Sequence, residues 1–173
     1  MKKIHKRYII LIIIVVLIVI SCQLFKNFII NNYKDHDSTS FVKDLINITY
    51  VENKGGAWGI GQGDTITFIV SNLLVIGIII KFIITQKERI GIFQLSALTL
   101  ILGGGISNCI DRLFRGYVVD YIDISPLFQF PVFNLEDTII VIGWIMFIFA
   151  VAISMIKFKI EKVEDKFEEN SSK

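Results

Sequence analysis

The sequence predicts a mainly α-helical membrane protein: four transmembrane helices, with a small extracytoplasmic β element between the first and second. Three observations predict it. Of 173 residues, 53% are hydrophobic and 20% charged, and the mean hydropathy is +0.64. A soluble domain of this length carries more charge and less aliphatic bulk. The apolar residues are gathered into four runs, and the lysines and arginines are distributed unevenly between the segments joining those runs. The same composition excludes intrinsic disorder, and a net charge of +2 excludes nucleic acid as a partner. Two cysteines and two histidines cannot build a zinc site of their own. No metal or other cofactor is expected.

The first span covers about 8–30, an apolar run from Tyr8 to Ile20 that resumes after Gln23. The second, about 66–84, is 19 residues long, roughly 28 Å of helix and close to the thickness of bilayer hydrocarbon. The third, about 92–111, is rich in Gly, Ser and Thr. The fourth, about 136–156, carries no charge from Ile139 to Ile156. The four make one integral membrane domain over 1–173 and leave no room for a separate soluble one.

With four spans, twelve lysines and arginines fall on one side: Lys2, Lys3, Lys6, Arg7, Lys81, Lys87, Arg89, Lys157, Lys159, Lys162, Lys166 and Lys173. Only Lys34, Lys43, Lys54, Arg112 and Arg115 fall on the other. The positive-inside rule then puts both termini in the cytoplasm and the loops 31–65 and 112–135 outside. In the tail, 157–173, Ile160, Val163 and Phe167 follow helical spacing, so the fourth span is expected to continue as an amphipathic surface helix.

The outward loops hold the chemistry. Leu45 to Val51 reads as a strand, and ENKGGAWGIGQGD, with five glycines in thirteen residues, as a curved sheet element beside it. In GGGISNCIDRLFRGYVVDYID, Gly104, Asn108 and Asp111 share one helix face. Small residues there let helices approach, whereas polar groups at the membrane edge need partners, and Arg112 is the expected ion-pair partner of Asp111. Cys22 and Cys109 both lie toward the outward half. In FPVFNLEDTIIVIG, Asn134 is a good N-cap with Asp137 three residues on, as in a capping box. Glu136 adds a second acid in that first turn, where like charges repel. Lys26 reads as a lysine snorkelling from the end of span one.

His5 is cytoplasmic and His36 lies in a polar segment, so a serine–histidine pair is not formed, and no HExxH is present. What remains is a pair of aspartates, one ionised to take a proton from water and the other protonated to polarise a carbonyl. Two close carboxylates at an apolar boundary split their apparent pKa values and supply both forms. The outward candidates are Asp111, Asp120, Asp123 and Asp137.

GGGISNCIDRL, GYVVDYI and FPVFNLEDTIIVIG resemble the signature segments of the bacterial lipoprotein signal peptidases (signal peptidase II), and NKGGAWG resembles that family's segment in the first outward loop. The resemblance covers nearly the whole chain. It implies a multi-pass aspartyl endopeptidase of the bacterial cytoplasmic membrane, with its active site near the outer face. Such enzymes work in membrane lipid and cut diacylglyceryl-modified prolipoproteins just before the lipidated lipobox cysteine; a monomer is expected for this chain. They are inhibited by the cyclic peptide globomycin. The resemblance places the catalytic pair on Asp120 and Asp137. It gives Asn53, Gly56, Gly104, Asn108, Asp111, Arg112, Asn134 and Lys26 to the shaping of the site or to substrate binding. Four positions depart from the family pattern: Cys22 stands for an aspartate, Glu136 for a small residue, Ser107 for a glycine and Trp58 for a phenylalanine.

Two other readings compete. Residues 1–22 by themselves resemble a lipoprotein signal peptide ending at Cys22; against it, a lipid anchor adds little to a chain with three further spans. A polytopic binding or transport protein would use intramembrane acids as an ion path; against it, the acids cluster on one side.

Overall fold

The computed structural model describes residues 2–171, with side chains from 6 to 164. The side chains of Lys2, Lys3, His5, Lys166 and Phe167, and Lys173 altogether, lie outside the described residues. The chain runs α1 (Lys2–Tyr33), β1 (Thr39–Val42), β2 (Ile46–Asn53), a one-turn 3-10 helix (Ala57–Gly59), α2 (Thr65–Thr85), α3 (Ile92–Phe114), β3 (Val118–Asp123) and α4 (Leu135–Ser171). Four stretches are long and apolar enough to cross a membrane: Lys6–Tyr33, Thr65–Thr85, Ile92–Phe114 and Leu135–Glu164.

One helix is unlike the other three. In α3, 67% of the most apolar stretch is buried within the protein, against 11%, 6% and 11% in α1, α2 and α4. The sequence gives the reason. Gly103, Gly104 and Gly105, with Ser107 and Asn108, leave α3 thin enough for neighbours to approach on several sides. A Cβ on Gly104 would stand 2.7 Å from the Glu136 carbonyl oxygen and 2.7 Å from Ile140 Cγ1, so this glycine sets the α3–α4 approach. The outer helices instead show isoleucines, leucines and phenylalanines on their exposed faces, among them Ile12, Leu24, Ile66, Leu74, Ile145 and Ile148. Such a surface suits lipid and not water. A core of Leu11, Ile79, Ile90, Leu95, Leu98, Ile101 and Leu102 fills one end of the bundle.

At the other end lies a three-stranded antiparallel sheet of order β1-β2-β3. Its β2 corresponds to the strand legible at 45–51. β3 comes from the α3–α4 connection, which the sequence presented only as loop, so the β element joins both outward segments. The register pairs Val51 with Asp120 and Asn53 with Val118. The sheet packs on the end of α1 through Ile29, Val119 and Tyr121. Phe133 extends it, exchanging backbone hydrogen bonds with Ile122 at 2.7 and 3.0 Å.

Candidate active site

Asp120 and Asp137 reach the same place from different elements. Asp120 lies on β3, at the strand's register with β2, and is 2% exposed. Asp137 lies in the first turn of α4. Three asparagine amides hold the pair. Asn53, at the end of β2, donates to Asp120 Oδ2 at 2.9 Å. Asn134 donates to Asp120 Oδ1 at 2.6 Å. Asn108, on α3, donates to Asp137 Oδ1 at 2.9 Å. Asn134 also caps α4: its Oδ1 accepts from Asp137 N at 2.8 Å, while Asp137 Oδ2 accepts from Asn134 N at 3.3 Å. This is the reciprocal capping box expected from the sequence. The N-terminus of a helix stabilises a negative charge there.

Both aspartates line a cavity of about 550 Å³, walled by Gly56, Phe128, Phe130, Val132 and Ile140. A second cavity of about 290 Å³ between α2, α3 and α4 reaches Asp137 from the other side. Gly56 lies against the Phe68 ring, and Trp58 packs edge-on to Phe130 at 5.5 Å. Burial pushes Asp120 up to about 7, and the nearby Asp137 charge adds to this against the hydrogen bonds from Asn53 and Asn134. A carboxyl with that value is protonated in a large share of molecules near neutral pH, while a neighbour can be ionised.

Two expectations about charge are corrected. Arg112 does not pair with Asp111. It donates to the Gly55 carbonyl at 3.1 Å, stands over the Phe68 ring and lines the same cavity as the two aspartates. Arg115, one turn further on, takes the Asp111 carboxylate instead, a spacing that helix geometry favours and that the sequence could have offered. Asp111 also accepts from Gln23 at 3.0 Å and from Val119 N at 3.0 Å, fixing the start of β3. Lys26 does not snorkel. It is 0% exposed and donates to Asn108 at 2.9 Å and to Asp111 at 2.7 Å, with Glu136 at 3.1 Å. Glu136 is also buried and turns to Lys26 and Ser107, away from the solvent side. Cys22 and Cys109 are buried free thiols. Asp123 stands apart from the pair, held by Thr49 and Ser125 N. Among the described residues, no three His, Cys, Asp or Glu side chains come together as a metal site would need.

The fold and the site together define a multi-pass membrane enzyme whose polar centre lies where a small sheet caps a four-helix bundle. The family model described as signal peptidase (SPase) II matches residues 13–153, and the chain belongs to this family of peptidases. A lipoprotein signal peptidase of Lactobacillus johnsonii is 36% identical over 143 residues, covering 82% of this chain and 92% of the relative. One of Staphylococcus aureus is 37% identical over 150 residues, covering 84% and 91%. A solved structure described as a bacterial membrane enzyme at 2.3 Å resolution superimposes with a TM-score of 0.75 at 32% identity, covering 84% of this chain and 88% of that one.

Proposed function

We propose that this chain removes the signal peptide from diacylglyceryl-modified prolipoproteins by aspartyl catalysis, cutting the bond before the lipidated cysteine. The observation that carries the reading is the pair of buried Asp120 and half-buried Asp137, held by asparagine amides on the wall of one largely apolar cavity, with a second cavity reaching Asp137. A lipidated substrate brings two apolar parts, the signal segment and the acyl chains, to one peptide bond.

In this mechanism Asp137, its charge supported by the α4 N-terminus, takes a proton from water, and the hydroxyl oxygen attacks the scissile carbonyl carbon. Asp120, still protonated, donates to the carbonyl oxygen as it becomes tetrahedral. Collapse breaks the C–N bond: the proton held by Asp137 passes to the leaving amine, and the proton that Asp120 gave to the oxygen returns to Asp120 as the C=O bond re-forms. Arg112, a cation on the wall of the same cavity, limits the repulsion between the carboxylates when the pair is ionised.

The chain works as one membrane domain and as a monomer, with both termini cytoplasmic and the sheet at the outer face. The structure favours this arrangement in one respect. Arg7 donates to the Ile90 carbonyl at 3.1 Å and Tyr8 to the Lys87 carbonyl at 3.0 Å, so two lysine- and arginine-rich segments share one end of the bundle. The peptide carbonyls and amides of the sheet sit at the opposite end. Cys22 lies inside α1, buried, with unbroken helix on both sides, which supports a mature protein that keeps α1 over one processed at Cys22. The test is to incubate the purified protein with a diacylglyceryl-modified prolipoprotein and weigh the products. The expected product begins at the lipidated cysteine, and globomycin suppresses it. An uncut substrate, or one cut elsewhere, overturns the reading.

A further inference from the structure

Lys26 is a buried cation at the back of the site, and its geometry is fully determined. An ammonium has three N–H donors and accepts nothing. Its partners are Asn108 Oδ1 and Asp111 Oδ2, hydrogen-bonded at 2.9 and 2.7 Å, and Glu136 Oε1, ion-paired at 3.1 Å. Two lie on α3 and the third on α4. Because Lys26 can only donate, it forces the oxygen of the Asn108 amide to face it. The amide nitrogen of Asn108 is then obliged to face Asp137, to which it donates at 2.9 Å. The amide of Asn134 obeys the same logic, its nitrogen shared between Asn108 Oδ1 at 3.3 Å and Asp120 at 2.6 Å. One lysine thus sets the direction of a hydrogen-bond chain that ends on the reacting pair.

Glu136 is the part of this arrangement with no role in the proposed reaction. It is fully buried at the foot of an apolar helix, where an unpaired carboxylate is costly. Its Oε1 is ion-paired with Lys26 and accepts a hydrogen bond from Ser107 Oγ at 2.8 Å. Its Oε2 has no hydrogen-bond partner, although the buried thiol of Cys22, a weak donor, lies beside the carboxylate. Gly104 packs against the Glu136 backbone, so the backbone of this residue is fixed by the α3–α4 contact. Glu136 immediately precedes Asp137, and its backbone is therefore tied to the position of the base.

We propose that Glu136 is a positioning residue: by holding Lys26 from the α4 side, it fixes Asn108 with its amide N–H on Asp137. This rests on the aspartyl reading above. The charged and titratable groups facing Glu136 are Lys26 and Cys22 from α1, Asp111 and its partner Arg115 from α3, Asp137 on α4, and Tyr121 from β3. Removing the Glu136 charge leaves Lys26 less neutralised and takes one negative charge from beside the pair. Both changes favour the ionised forms of the aspartates, so both limbs of the pH–rate profile move to lower pH.

The experiment compares Glu136→Gln and Glu136→Ala with the wild type and with Asp137→Asn, measuring kcat, KM, the pH profile and thermal stability on a lipidated prolipoprotein. Gln keeps an oxygen for Lys26 and loses the charge, and it fits the same space. Ala loses both. A misoriented Asn108 costs about ten- to hundred-fold, so Glu136→Ala is expected to lose that much kcat with KM nearly unchanged. Glu136→Gln is expected to recover most of the rate while both variants show limbs shifted to lower pH. The proposal is overturned if folded Glu136→Ala keeps wild-type kcat, if the variants lose only thermal stability, or if neither limb moves. Should Asp137→Asn itself stay active, the aspartyl reading fails instead. An inactive Asp137→Asn beside wild-type-like Glu136 variants removes only this inference.

Discussion

Two groups of buried charge adjoin each other at the foot of α4, and they are built in opposite ways. Glu136 joins Lys26 and Asp111 in a closed cluster in which all three side chains are 0% exposed and cation meets anion directly. Asp137, the next residue, joins Asp120 at the edge of a cavity of about 550 Å³, and the groups hydrogen-bonded to their carboxylates are asparagine amides and a backbone N–H. The difference lies in what each carboxylate can do with a proton. A carboxylate against a lysine meets a fixed opposite charge, and its burial serves packing and orientation. Carboxylates held by neutral donors can share a proton, and Asp120 is pushed up to about 7 by burial and by Asp137. Asn108 connects the two groups, with its oxygen on Lys26 and its nitrogen on Asp137.

Removing the centre of the closed cluster gives the largest expected effect. Lys26→Met leaves Glu136 and Asp111 buried with one cation fewer, and breaking such a pair costs about 3–5 kcal/mol. Thermal unfolding in detergent is expected to show a large drop in Tm, and an unchanged Tm would mean the cluster is not held as described. A smaller effect is expected where α3 meets α4. Gly104→Ala forces a Cβ to within 2.7 Å of the Glu136 carbonyl oxygen, and relieving that overlap costs about 1–3 kcal/mol. Chemical denaturation measures it, together with lowered activity as the first turn of α4 shifts.

The open pair is expected to show itself through pH. Asp120 has a folded value of about 7 against an ordinary 3.8. Between those values the folded protein holds more protons than the unfolded chain, so stability falls as pH rises through that window. Asp120→Asn should flatten this part of the stability curve. Activity should decline on the alkaline side as Asp120 loses its proton. Asp123→Asn gives the smallest effect. Asp123 lies on the same strand, but its partners are Thr49 and Ser125 N at 2.8 Å each, away from the cavity. Activity close to wild type is expected, with a stability cost of about 0.5–1.5 kcal/mol.

The four helices were legible because membrane spans announce themselves by length and by missing charge. The pair at Asp120 and Asp137 was legible because each sits in a distinctive segment and Asn134 with Asp137 has the spacing of a cap. β3 was not, since VVDYID is short and its partners lie some 70 positions away in β2, at residues such as Val51 and Asn53. The i,i+4 pairing of Asp111 with Arg115 was open to the sequence, but the partners that Lys26, Asp111 and Arg112 find on other elements were not legible. Which residues meet across helices depends on how each helix is rotated about its axis, and that rotation is set by packing around Gly104 and its neighbours. Glu136 was legible as an acid beside an acid, but not as a side chain turned inward to a lysine of α1.

The most direct measurement is cleavage of a lipidated prolipoprotein by the folded Asp120→Asn and Asp137→Asn proteins, with Asp123→Asn in parallel. Neither half of a pair that shares a proton works alone. Each of the first two is expected to lose about 100- to 10,000-fold in kcat/KM at unchanged thermal stability or better, while Asp123→Asn stays near wild type. A folded Asp120→Asn or Asp137→Asn protein that cleaves within a few-fold of the wild-type rate would contradict the account.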